Sequence, residues 1–196
     1  MKFSALLAGI LLVTALALPA SASQIPYEAF LTGPAEFPPN ASPATGFAVV
    51  TIDTTALTMR VQTSFSGLLG TTTASHIHCC TAVPGSGTAG VATQTPVFAG
   101  FPLGVTLGTY DQTFDMTLAS SYNPAFVTAN GSVGGAFNAL VTGMDGGNTY
   151  FNIHTNMFPG GEIRGFLTPV PEPQTYQLLA TGLGLLPFAR RRSRST

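Results

Sequence analysis

The chain has 196 residues, of which only 8% are charged, and this length suggests one domain with short appendages. Its 22 Gly and 15 Pro favour short elements joined by tight turns, and 45% apolar residues exclude a disordered chain. Between residues 23 and 168 only Arg60 and Arg164 are basic, against seven acidic residues, a formal charge of −5. Such a body cannot neutralise many phosphates, so we expect no nucleic-acid partner.

Residues 1–22 are predicted to be a secretory signal peptide. Lys2 supplies a positive start, an uncharged apolar run follows from Leu6 to Leu18, and Ala20-Ser21-Ala22 is a small-x-small cleavage site. The alternative is a membrane anchor, but the run is shorter than the ~20 apolar residues that span a bilayer. We therefore expect a secreted chain that begins near Ser23.

Seven short strands are predicted between the two ends of the chain. The clearest two alternate apolar and polar residues over 57–65 and 110–118, which is typical of strands with one buried face. In chain order the predicted strands are 27–32, 47–53, 57–65, 74–78, 110–118, 149–154 and 162–167. Separated by Gly and Pro turns, they predict an all-β fold, an antiparallel β-sandwich.

Two helical segments and one long connection interrupt these strands. Asn123-Pro124 predicts a helical turn, because Pro suits the first helical position. Apolar residues spaced by three and four predict a short helix near 133–144 that covers an end or edge of the sheet and is ended by Gly143 and the glycines after it. The segment 79–106 has no clear period, so we interpret it as a long surface excursion.

The last residues, 169–196, have three parts in a fixed order. Val170-Pro171-Glu172-Pro173 is stiff and extended, 178–189 is apolar, and Arg190-Arg191-Arg192 follows. Basic residues after an apolar run hold that end on the cytoplasmic side of a membrane. This order resembles the bacterial PEP-CTERM sorting signal. The resemblance implies a Gram-negative source, transient membrane insertion through the tail, and its removal by an exosortase-type protease. The alternative is a plain C-terminal membrane tail.

Several separate motifs occur in order along the body of the chain. They are Phe30-Leu31-Thr32-Gly33, Glu36-Phe37-Pro38-Pro39, Ala74-Ser75-His76-Ile77-His78, Tyr150-Phe151-Asn152-Ile153-His154-Thr155 and Phe158-Pro159-Gly160-Gly161-Glu162-Ile163-Arg164-Gly165. Together they resemble the CHRD domain, named for chordin and found in many bacterial secreted proteins. The resemblance covers about 27–168, and we assign residues 23–168 to this domain. It implies an immunoglobulin-like β-sandwich and no established activity.

All three histidines of the chain fall inside these motifs. His76 and His78 flank Ile77, so on a strand both imidazoles point to one face, roughly 6.6 Å apart at Cα. If the strand that carries His154 is a neighbour, three imidazoles converge on one Zn or Cu ion. Binding would then weaken below about pH 6, where imidazole is protonated. The alternative is that the three histidines pack and hydrogen-bond within the fold.

The strand with His76 and His78 is also similar to the copper-binding strand of Cu/Zn superoxide dismutase. That enzyme's zinc loop needs further His and Asp residues, and 79–106 contains neither, so a bimetallic site is not expected. Cys79 and Cys80 depart from the family pattern and leave three alternatives: a disulfide between neighbours, two free thiols, or ligands of a soft metal. Arg164 is expected to form a structural ion pair, with Glu36 as a candidate partner.

Two functions from different classes therefore stay open. The first is a non-enzymatic extracytoplasmic protein, sorted to the cell envelope or to the extracellular matrix, with the exopolysaccharide matrix as a partner. The second is a secreted protein that binds Zn or Cu through His76, His78 and His154, with redox chemistry as an option. A carbohydrate binder is a weaker third option, because the chain has no Trp and few Tyr for a stacking platform.

Overall fold

The computed structural model describes residues 24–171, so the predicted signal peptide and residues 172–196 of the predicted tail lie outside the described residues. Within this described range there are eight strands: β1 (Gln24–Thr32), β2 (Thr45–Asp53), β3 (Thr58–Ser66), β4 (Thr72–His78), β5 (Gly108–Asp115), β6 (Tyr150–Thr155), β7 (Ile163–Phe166) and β8 (Thr168–Pro169). The helices are α1 (Pro124–Ala129) and α2 (Val133–Asp145), with single 3-10 turns at Gly33–Ala35 and Ala119–Ser121. Neither α1 nor α2 is long and apolar enough to cross a membrane.

All strand pairs are antiparallel, and the strands follow the order β4-β6-β7-β1-β2-β3-β5, with β8 beside β1. The predicted all-β, sandwich-like fold is therefore confirmed, as one curled sheet that is continuous along its hydrogen bonds. Phe98 shows the curl, because its ring contacts Phe114 of β5 at 5.3 Å and Phe151 of β6 at 6.1 Å between centroids. Strands from opposite ends of the sheet thus share one core.

Strict alternation of side chains builds this core. On β3 the side chains of Met59, Val61, Thr63 and Phe65 are buried, and the residues between them face outward. Because successive strand residues point to opposite faces, a period of two in the sequence becomes one apolar and one wetter face. The same pattern on β2 explains why both strands were predictable from the sequence.

The segment 79–106 is largely exposed, as predicted for a surface excursion, but part of it enters the core. Ala92, Thr93 and Phe98 are completely buried within it. Its backbone also covers the free edge of β4, since the amide of Ala92 donates to the carbonyl of Ile77 at 2.9 Å and the amide of Thr72 donates to the carbonyl of Val105 at 2.9 Å. This segment protects an edge strand and fills the opening between the two ends of the sheet.

Both predicted helical segments are confirmed. Asn123 caps α1 by accepting from the amide of Ala125, and Ser132 caps α2 by accepting from the amide of Gly135. Helix α2 buries Phe137, Leu140 and Met144 against the core, which is what its apolar spacing predicted. The helix is ended by the later of the predicted glycines, because α2 continues through Gly143 to Asp145 and Gly146 caps it.

Candidate metal centre

Strands β4 and β6 are neighbours, so the condition for the three histidines to converge is met. In the antiparallel register Ala74 lies opposite His154 and His76 lies opposite Asn152. One ring nitrogen from each of His76, His78 and His154 lies within 4.8 Å of the other two. His76 and His78 are buried and His154 is half-buried, so the cluster lies under the surface rather than on it.

One nitrogen of each imidazole is hydrogen-bonded to a backbone carbonyl, as three contacts show: His76 Nε2 to Pro96 O at 2.7 Å, His78 Nδ1 to Ala89 O at 2.9 Å, and His154 Nδ1 to Pro159 O at 2.9 Å. A carbonyl oxygen can only accept, so each of these nitrogens carries the ring proton. In the neutral rings the opposite nitrogens are left with lone pairs, which is how outer partners orient metal-binding histidines.

The nitrogens with lone pairs face one another. His76 Nδ1 and His154 Nε2 are 3.4 Å apart, and His78 Nε2 is buried and has no hydrogen-bond partner within residues 24–171. Two lone pairs at this distance repel unless a cation lies between them. Tetrahedral Zn–N bonds of about 2.0–2.1 Å place neighbouring ligand nitrogens about 3.4 Å apart, so the His76–His154 spacing fits one ion.

Burial keeps these imidazoles neutral. It lowers the pKa of His78 to about 4, although the hydrogen bond to the Ala89 carbonyl acts in the opposite direction. Burial also lowers the pKa values of His76 and His154. Since a metal binds the deprotonated ring, the cluster is ready to bind near neutral pH.

Tyr150 and Arg164 lie beside the cluster. The Tyr150 ring stacks on His78 with centroids 4.6 Å apart, and its hydroxyl donates to the Ala89 carbonyl at 3.2 Å. The Arg164 guanidinium lies 4.6 Å from the centre of the Tyr150 ring. A buried aromatic wall therefore fixes the plane of His78, a contact that the sequence did not reveal.

The expected ion pair between Arg164 and Glu36 is present. Arg164 Nε lies 3.9 Å from Glu36 Oε2, and both side chains are buried. Burial raises the pKa of Glu36 to about 7, against the lowering effect of the Arg164 charge. Asn152, opposite His76 in the register, donates to Glu36 Oε1 at 3.1 Å and so joins this pair to the histidine face.

Cys79 and Cys80 form a disulfide between neighbours, the first of the three alternatives that the sequence left open. Their sulfurs face α2, with the Ala139 carbonyl oxygen 3.8 Å from Cys79 Sγ and 3.6 Å from Cys80 Sγ. They are not part of the group of converging nitrogens.

A buried three-histidine cluster on one face of a curled antiparallel sheet thus defines the site. The CHRD domain family model matches residues 27–167, and the chain belongs to this family. Comparison with curated proteins and with solved structures found no match.

Proposed function

We propose that this CHRD domain binds a single Zn or Cu ion through His76, His78 and His154. The supporting observation is that in each imidazole one nitrogen is hydrogen-bonded to a backbone carbonyl and the other points into the cluster. Three neutral imidazoles suit either metal, and a three-histidine set leaves a further coordination position for water or another small ligand.

We also propose where this metal-binding domain works. A secretory signal peptide at 1–22 and the PEP-CTERM-like tail support export, exosortase-type processing and sorting to the cell envelope or extracellular matrix. There the protein would act by binding rather than by catalysis, with the exopolysaccharide matrix as its surroundings. Membership of the CHRD family supports an extracellular type of domain.

Metal analysis tests the first proposal. Purified protein is incubated with Zn²⁺ or Cu²⁺, dialysed, and analysed for bound metal, beside variants in which His76, His78 or His154 is replaced by Ala. We expect one equivalent in the wild type and a sharp loss in each variant. Gln62→Ala, on β3 and away from the cluster, is the control that should keep its metal. A wild type without metal after both incubations would overturn the proposal.

Intact-mass analysis of the protein from its native host tests the second proposal. We expect a mature chain that begins near Ser23 and lacks the region after about Pro173. A secreted form that still carries Arg190 to Arg192 would refute removal of the tail.

A further inference from the structure

The Cys79–Cys80 disulfide directly follows His78, the second histidine of β4. It packs into a hollow of α2 that exists because residue 143 is glycine. A Cβ atom on Gly143 would lie only 2.6 Å from each sulfur and 3.1 Å from Cγ2 of Thr149. The helix is therefore shaped around the bonded pair of sulfurs.

The same disulfide is joined to the metal centre through the loop that orients His78. The amide of Cys79 donates to the carbonyl of Gly90 at 3.1 Å. The preceding residue, Ala89, provides the carbonyl that holds His78 Nδ1 at 2.9 Å. Any rearrangement of Cys79 acts on the segment that fixes the tautomer and orientation of His78.

We propose that Cys79–Cys80 is a thiol-exchange site whose reduction releases His78 and weakens metal binding. The substrate class is a dithiol, small or protein-borne. This inference rests on the proposed function for its effect on the metal, but the link between disulfide and His78 can be measured without metal.

The exchange is a balanced two-electron step. One thiolate of the dithiol attacks Sγ of Cys80, which is the exposed member of the pair, and the bond between the two cysteine sulfurs breaks. Cys79 leaves as a thiolate and takes up a proton. The second thiolate of the dithiol then attacks the mixed disulfide and releases Cys80, which is also protonated. The dithiol is oxidised to a disulfide, and the two cysteines gain two electrons and two protons.

Reduction changes the packing because unbonded sulfurs must separate to van der Waals contact. The hollow at Gly143 is closed by Thr149 and by the Ala139 carbonyl. Only Cys80, being exposed, has room to leave it, and this frees Cys79 from its neighbour. Loss of an outer partner of a metal-binding histidine lowers metal affinity about 10–100-fold, and we expect a decrease in this range.

The test compares oxidised wild type, wild type reduced with a dithiol and desalted, and the double variant Cys79→Ser/Cys80→Ser. The double variant cannot form the bond and has no thiols to bind zinc by themselves. Thiol titration measures reduction of the folded protein, competition with a chromophoric chelator measures zinc affinity, and ¹⁵N NMR of the metal-free proteins measures the His78 ring nitrogens. Dithiol treatment of the double variant is the control for effects of the reductant.

We expect two titratable thiols after reduction, zinc binding at least ~10-fold weaker in both disulfide-free forms, and a changed His78 Nδ1 signal. Equal affinity and identical ring signals in all forms would overturn the inference and leave the metal centre intact. A disulfide that resists reduction in the folded protein would also overturn it, as would tighter zinc binding by the reduced wild type alone, which would assign the zinc to the thiols. If oxidised wild type binds no zinc, the proposed function fails, and the ring signals alone decide whether the disulfide controls His78.

Discussion

No group among the described residues hydrogen-bonds the buried Nε2 of His78, so replacing this residue should remove the proposed metal binding without destabilising the fold. In His78→Phe the new ring keeps the stack on Tyr150, whose centroid lies 4.6 Å from the imidazole. The variant removes the unpartnered Nε2 and the bond from Nδ1 to Ala89 O. The Ala89 carbonyl stays satisfied, because the Tyr150 hydroxyl also donates to it. We expect zinc binding to be lost and the metal-free fold to be kept.

The size of the effect depends on pH. At pH 7, removing the buried unsatisfied Nε2 should raise the free energy of unfolding by about 1–3 kcal/mol. Loss of the hydrogen bond from Nδ1 to Ala89 O should lower it by about 0.5–1.5 kcal/mol. In the wild type, the pKa of His78 is about 4, below the ordinary 6.5. The unfolded chain therefore binds more protons between these values, and the His78 contribution to stability is complete above pH 6.5 and falls as the pH drops toward 4. Between pH 7 and 5 this loss is about 2 kcal/mol.

Urea unfolding of metal-free wild type and His78→Phe at pH 7 and pH 5, with a chelator present, measures this difference. The stability advantage of the variant should grow by about 2 kcal/mol from pH 7 to pH 5. Tyr150→Phe is the matched control, because it alters the same ring stack and keeps His78, so its response to pH should follow the wild type. The reasoning is refuted if His78→Phe and the wild type lose the same free energy of unfolding between pH 7 and pH 5. It is also refuted if the variant is less stable than the wild type by more than about 2 kcal/mol at pH 7.

Three further predictions concern groups around the site. Burial raises the pKa of Glu36 to about 7, so between pH 4.5 and 7 the folded state holds a proton that the unfolded state has released. This group therefore lowers the free energy of unfolding as the pH rises. Glu36→Gln removes that effect, so in urea titrations the free energy of unfolding should rise more steeply with pH, by up to ~1.4 kcal/mol per pH unit. The carboxylate of Glu162 is fully buried and accepts four hydrogen bonds, so Glu162→Gln should lower the free energy of unfolding by ~3 kcal/mol. Gly143→Ala should lower it by about 1–3 kcal/mol, and by less when Cys79 and Cys80 are both Ser, because the new methyl group meets the two sulfurs.

The fold was predictable wherever one side of a strand faces the core. Alternation located β2, β3 and β5, but the strand predicted to reach residue 118 ends at Asp115, where Thr117 donates its amide and hydroxyl to the Asp115 carboxylate and turns the chain. The core contacts of segment 79–106 were not predicted, because they are distant in sequence and leave no local period. Gly146 ends α2 as predicted, whereas Gly143 lies inside the helix and is explained by its tertiary contact with the disulfide, which leaves no local signal.

The three histidines of the candidate site were predictable from the sequence, but the groups that orient their rings were not. Spacing placed His76 and His78 on one face, and the strand phase of His154 gave it the matching orientation. The acceptors that orient the rings are main-chain carbonyls of Ala89, Pro96 and Pro159. Every residue type offers such a carbonyl, so no sequence pattern could identify them.

The histidines and the carbonyls that orient them lie in different parts of the fold. The three histidines belong to β4 and β6, whose positions are fixed by paired strands and a shared core. All three orienting carbonyls lie outside the strands, in 79–106 and in the turn between β6 and β7. A change in these connections can reorient an imidazole while the sheet stays intact. The disulfide at Cys79 and Cys80 lies where β4 passes into the first of these connections, so we expect a covalent change there to alter the proposed metal affinity before it alters the fold.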